Sequence, residues 1–232
     1  MAYFLTPIAP LFLIIFLVLS STLTFYVGGF YEREIADLEP FFQFHPWIYL
    51  FLVPAIGMRL WSEEYRSGSA ELLLTLPLST WEVVLGKYLA ALGLIGLGLL
   101  LSFPMWLTVN VLGEPDNGVI IGAYFGSLLM AGAFLAISAA VSATTSNQVV
   151  AFIGSCAICF VFLMSGMPLV LEPMGQILPQ AWVDVIGQLS FLVHYSTMAR
   201  GILDLKSLAY FLGLIAVLLT GNWAMIELRK AS

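Results

Sequence analysis

Between Val119 and Leu171 the chain carries no charged residue, and only the short polar run Ser142–Gln148 (SATTSNQ) interrupts it. Each of the two flanking apolar stretches exceeds the roughly 20 residues that cross a bilayer core. Neighbouring stretches of this kind have one solvent that accepts them, which is lipid. The rest of the chain has the same character: 61% of its 232 residues are hydrophobic and 9% are charged, with a mean hydropathy of +1.00. A soluble domain averages about a quarter charged residues, and a water-facing surface cannot be built from so few. The net charge of −6 excludes nucleic acid as a partner, because that role needs clustered Lys and Arg.

Read in order, the chain predicts an all-α integral membrane protein with six transmembrane helices, in a single transmembrane domain over residues 1–232. The first span covers about 7–28. Its start has no basic residues, so it reads as an uncleaved span rather than a signal peptide. Pro7 sits where a missing N–H costs least. The loop Tyr31–His45 holds Glu32, Glu34, Asp37 and Glu39 against Arg33, an acidic balance that suits the outer side. The second span, about 47–61, is short; either Phe41–Phe44 extend it or Pro54 kinks it. The third covers about 82–111, with Pro104 as a kink and Gly86, Gly93, Gly96 and Gly98 as sites of close helix approach. After the turn GEPDNG, the fourth span (about 119–143) repeats that theme with Gly122, Gly126 and Gly132.

The fifth span, about 149–171, breaks near Gly166 and Pro168. Glu172–Lys206 then reads as one or two short helices lying in or dipping into the outer interface, with Trp182 and Tyr195 as interfacial aromatics. The sixth span covers about 208–227. Arg59, Arg66, Lys87, Arg229 and Lys230 fall on one side and Arg33, Arg200 and Lys206 on the other. That bias places both termini of this multi-pass chain in the cytoplasm, and the expected location is the inner cell membrane.

The sequence offers little chemistry. Cys156 and Cys159 form a C-x-x-C inside an apolar run, with no second pair and no nearby His, so they read as packing residues. Gly86-Lys87 is not a phosphate loop, since Trp81 stands where that motif has Gly and Tyr88 replaces its Ser or Thr. His45 and His194 belong to separate outer segments, and Ser165-Gly166 is a helix-breaking pair. Neither a catalytic residue nor a metal ligand set emerges. The apolar centres hold no ionisable residue that would mark an ion path, so the energy for any transport must come from a partner.

Met58–Lys87 is the one long interval where charges interleave with apolar residues. Arg59, Glu63, Glu64 and Arg66 crowd one or two turns, and Gly68 separates them from a leucine-rich run to Leu76. Pro77 and Ser79 follow, and Glu82–Lys87 leads into the third span. A solvated helix face would explain such charges at about 0–1 kcal/mol per pair; a compact amphipathic element between two spans also offers the cytoplasm a surface to hold.

This stretch resembles the signature of ABC-2 type transporter permeases. The matching residues are Met58-Arg59, Ser62-Glu63-Glu64, Arg66, Gly68-Ser69, Glu71-Leu72-Leu73, Leu76-Pro77-Leu78-Ser79 and Glu82 to Gly86-Lys87. Leu189-Ser190 to His194, Arg200–Asp204 and Tyr210-Phe211 are similar to the permeases associated with gliding motility and with nitrous-oxide reductase maturation.

The resemblance implies a permease half that pairs with a second copy or a homologous permease and with two ABC ATPase subunits, which would hold the ATP and Mg. It implies a cytoplasmic coupling helix between spans 2 and 3 that contacts the ATPase through Arg59, Glu63, Glu64, Arg66, Gly68, Glu71, Leu72 and Leu73. Gly86 and Lys87 would open the third span. Trp182, Asp184, His194, Tyr195 and Arg200 would face a periplasmic or accessory membrane partner, and lipid would surround the spans. Export-type transport is the expected activity. The alternatives are ATP-driven transmission of force to periplasmic or motility partners without solute transport, and a structural subunit with no ATPase. Such permeases usually open with a charged interfacial helix, whereas this chain starts almost at its first span; either the true start lies upstream or that helix is lacking.

Overall fold

The computed structural model describes residues 8–74 and 77–230, so Met1–Pro7 with its proline, and Leu76, lie outside the described residues. The described part is all-helical. Helix α1 (Ile8–Thr22) continues through a π-helical turn, Leu23–Val27, and is followed by the short α2 (Glu39–Phe42) and α3 (His45–Gly57). The elements α4 (Arg59–Ser67) and α5 (Ser69–Leu74) lead to α6 (Thr80–Leu101), α7 (Phe103–Leu112) and α8 (Asn117–Ser142). Then come α9 (Gln148–Met164), α10 (Pro168–Gly175), α11 (Gln180–Gln188), α12 (Phe191–Ala199) and α13 (Leu205–Lys230).

Helix starts fall at the polar punctuation. Ser79 and Glu82 form a capping box on α6: Ser79 Oγ accepts from the Glu82 N–H at 3.3 Å, and Glu82 Oε2 accepts from the Ser79 N–H at 2.8 Å. Asp116 caps α8 through the N–H groups of Gly118 and Val119, and Asn147 caps α9 through those of Val149 and Val150. Proline stands in the first turn of α2, α3, α7 and α10, where no helical N–H is missed.

Among the described residues, five helical segments are long and apolar enough to cross a membrane: Ala9–Val27, Glu39–Ser67, Thr80–Leu112, Asn117–Ser142 and Leu205–Lys230. The pair α9 and α10, bent by 70°, makes a sixth if it counts as one span. The structure sharpens three of the expected boundaries. The second segment reaches back to Glu39, so the Phe41–Phe44 extension supplies its length. The third is interrupted at Ser102, just before Pro104, where the proline was expected to disturb it. The fifth breaks after Met164, at the expected Gly166–Pro168 site: Pro168 has no N–H to give the Met164 carbonyl, and Gly166 packs so closely that a Cβ there would meet Ser190 Cβ at 2.5 Å.

Helix α8 is the axis of the bundle, packed by α3, α6, α9, α12 and α13. From Met130 to Ala139 every residue is buried, as expected for a helix apolar on all faces. Its glycines admit close neighbours. A Cβ on Gly122 would lie 3.1 Å from Gly201 Cα, and one on Gly126 would lie 2.8 Å from Met198 Cβ. The glycines of α6 divide instead. Gly98 packs against Phe16 of α1, whereas a Cβ on Gly86 or Gly93 would meet nothing within 4 Å. Those two are not sites of close helix approach within this chain.

Candidate functional site

At one end of α8 the chain turns from α3 through α4 and α5 into α6. Gly57 lets α3 touch α8: a Cβ there would lie 2.3 Å from Ser138 Cβ. One turn further along α8, Ser142 reaches the α3–α4 break. Its Oγ accepts from the N–H groups of Trp61 (3.1 Å) and Ser62 (3.0 Å) and donates to the Met58 carbonyl at 2.7 Å. One hydroxyl thereby satisfies backbone groups that the interrupted helix leaves open.

Helix α4 (RLWSEEYRS) is strongly amphipathic, and its two faces have different fates. Leu60, Trp61 and Ser62 are buried. Lys87, on the second turn of α6, ties this face down in three ways. It pairs with Glu64, donates to the Leu60 carbonyl at 2.7 Å, and lies 4.0 Å over the Trp61 ring. The pair is mostly shielded, with 16% of the Lys87 side chain and 27% of the Glu64 side chain exposed. Arg229, near the end of α13, sits 4.5 Å over the Tyr65 ring and donates to the Thr144 carbonyl at 2.8 Å. Helix α4 is thus attached to α6, α8 and α13 together.

The opposite face carries Glu63, Arg66 and Ser67, all exposed. Glu63 accepts from Arg59 at 2.8 Å along the helix. Gly68 closes the helix with φ +72°, a left-handed conformation that glycine adopts without strain, and turns the chain directly into α5. Leu73 is half-buried and packs against the bundle core. The side chains of Glu71 and Leu72 lie outside the described residues. Of the eight residues expected at a partner surface, Glu63, Arg66 and Gly68 stand on the open side. Arg59 lies half-buried beside Glu63, while Glu64 and Leu73 face inward. Gly86 lies in the second turn of α6 rather than at its first residue, and Lys87 serves the clamp. Lys87 escaped sequence reasoning as an ion-pair partner, because 23 positions separate it from Glu64 and only the α4–α6 packing closes that gap.

Within Glu172–Lys206 two short helices, α11 and α12, lie whole, within the one or two expected, after α10, which starts at Pro168. Trp182 is 62% exposed, and Asp184 and Arg200 are exposed as well. His194 and Tyr195 are buried, which corrects the expectation that they face a partner. His194 Nε2 lies 2.9 Å from the Gln188 carbonyl and must donate to it, and Nδ1 lies 3.0 Å from the Ser207 hydroxyl. Its ring stacks on Tyr210 with centroids 4.1 Å apart. Asp204 caps the same junction, and hydrogen bonding from Ser207 holds its carboxyl below the usual carboxylate range. Tyr195 donates to the Phe42 carbonyl at 2.8 Å. Both side chains lock α12 onto its neighbours.

His45 is likewise internal. Its Nδ1 lies 2.7 Å from Ser127 Oγ, which also meets Tyr49 Oη at 2.8 Å, under the rings of Phe16, Phe41 and Phe42. Cys156 donates from Sγ to the Leu50 carbonyl at 3.3 Å, and Cys159 is buried; both are free thiols. They pack.

The α4–α5 elbow therefore combines a wired inner face with an open outer one, a geometry suited to passing displacement into the bundle. No curated protein matches the chain. The family model described as "ABC-2 family transporter protein" matches residues 23–226, from the π-helical turn after α1 to the last turns of α13. The chain belongs to the ABC-2 transporter family, as a multi-pass membrane component of an ABC transporter.

Proposed function

We propose that this chain is the permease subunit of an export-type ABC complex, and that the α4–α5 elbow is the surface on which a separate ATPase subunit rests. The observation that carries this reading is the division of α4: Glu63 and Arg66 are open, while Glu64, Trp61 and Ser62 are held by α6 and α8. A displacement of the open face has rigid routes into three spans. ATP and Mg belong to the ATPase, two copies of which pair with two permeases, identical or homologous.

Charge supports a cytoplasmic elbow in the inner membrane. The elbow end of the bundle carries five basic residues against five acidic ones, and the opposite end three against nine. Both termini then lie in the cytoplasm. The exposed helices α10 and α11, with Trp182 and Asp184 outward, favour a second reading in which ATP-driven motion is passed to a periplasmic partner without solute transport.

The test is co-purification in detergent of the chain with a candidate ABC ATPase, for the unmodified chain and for Glu63→Lys/Arg66→Glu. ATPase activity is then measured on the recovered complex. Docking on this face predicts capture by the unmodified chain and loss with the double variant. Equal capture by both removes the elbow as the dock. A transport assay on the intact complex separates export from force transmission.

A further inference from the structure

At the bundle end opposite the elbow, Asp37, Glu39, Asp116 and Arg200 rim a half-open cavity of about 860 Å³. That is the size of a small-molecule site. Its wall is apolar, formed by residues such as Pro46, Ile120, Ala123 and Leu192. The rim lies at the level where apolar segments begin, since Glu39 opens the second candidate span and Asp116 caps α8. From that cap, seven residues of α8 carry the wall to Ala123, about 10 Å deeper.

The rim holds charges of both signs. Arg33 pairs with Asp37 at 3.8 Å and Glu39 at 2.7 Å, so those two are partly compensated. Asp116 gives one oxygen to the α8 cap. Arg200 donates from Nε to the Ser196 carbonyl at 3.1 Å, and its terminal nitrogens have no partner among the described residues. An occupant must therefore bring an apolar chain for the wall, an anion for Arg200 and an N–H cation for the carboxylates. At this level a lipid of the surrounding bilayer can supply all three.

We infer that this cavity binds a phospholipid with a primary-amine zwitterionic headgroup, of the phosphatidylethanolamine type. Its acyl chain lies along α8 and α12, its phosphate meets Arg200, and its ammonium group donates to Asp116 and the neighbouring carboxylates. Phosphatidylcholine offers the same charges without N–H donors. Phosphatidylglycerol offers no cation and is repelled by the acidic rim. This inference concerns the chain alone, whether or not the elbow holds an ATPase.

The test is native mass spectrometry of the full chain, delipidated in detergent and titrated with each of the three lipids. Phosphatidylethanolamine should be retained about ten-fold over the other two, the worth of one charge-assisted hydrogen bond. Ser196→Trp, at the exposed mouth, should abolish that retention. Asp116→Asn keeps the cap and should bring phosphatidylethanolamine down to the level of phosphatidylcholine; it decides the matter if Ser196→Trp does not fold. Equal retention of all three lipids overturns the proposal. So does retention that neither variant changes. If Ser196→Trp alters the dimer population and leaves lipid unaffected, the cavity is a contact between copies and the proposal fails.

Discussion

Replacing Lys87 by Met tests whether the elbow is clamped to the bundle as the geometry requires. The substitution keeps most of the aliphatic stem and removes the charge. Exposed ion pairs contribute about 0–1 kcal/mol, whereas stripping one partner from a buried pair costs about 3–5 kcal/mol. With side chains 16% and 27% exposed, the Lys87–Glu64 pair falls between those limits. Lys87 also gives up its hydrogen bond to the Leu60 carbonyl and its position over Trp61. A charged hydrogen bond is worth about 1.5–3 kcal/mol, and an exposed cation–π contact about 0.5–1 kcal/mol.

These contributions overlap, so Lys87→Met should cost about 2–3 kcal/mol. Glu64→Gln leaves Lys87 its carbonyl partner and should cost about 1–2 kcal/mol. The double variant strands neither charge, so it should cost less than the sum of the singles by about 1 kcal/mol. The assay is equilibrium unfolding in mixed detergent micelles, read by tryptophan fluorescence, for the four members of the cycle. Additive single effects, or a Lys87→Met variant within about 0.5 kcal/mol of the unmodified chain, would refute the clamp.

Three further outcomes follow from the same geometry. Ser142→Ala leaves the Trp61 and Ser62 N–H groups without their acceptor, so it should cost about 1–3 kcal/mol and speed limited proteolysis at the elbow. Gly68→Ala finds open space and meets only the backbone penalty of its +72° φ, so it should lower stability by about 1 kcal/mol while weakening ATPase capture. Gly57→Ala would set a Cβ 2.3 Å from Ser138 Cβ and force α3 from α8; a loss of about 1–3 kcal/mol is expected, and unchanged unfolding would contradict the crossing.

Much of this architecture was legible in the chain itself, for reasons that are local. Long apolar runs have to be helical in lipid, since no other span satisfies its own backbone hydrogen bonds. The polar turns GEPDNG and SATTSNQ and the punctuation at Ser79 separated the spans, and the helix starts fall there because Ser79, Asp116 and Asn147 reach their own backbone. Gly68 marked the elbow because its conformation is a property of one residue. Contacts with a neighbour were less legible. Gly166 and Pro168 marked the break after Met164, but not the packing of Gly166 on Ser190, a contact that apolar length alone does not encode.

The sequence by itself determined the solvent, the helical class and the amphipathic elbow, because composition and short-range periodicity decide them. Tertiary structure decided the rest. It turned His194 and Tyr195 inward, set His45 beside Ser127, and divided one charged helix into a face that holds the bundle and a face left open. The physical reason is that a side chain's partners are chosen by which helices cross. Lys87 meets Glu64, and Ser142 meets the α3–α4 break, only once α8 is enclosed by its neighbours.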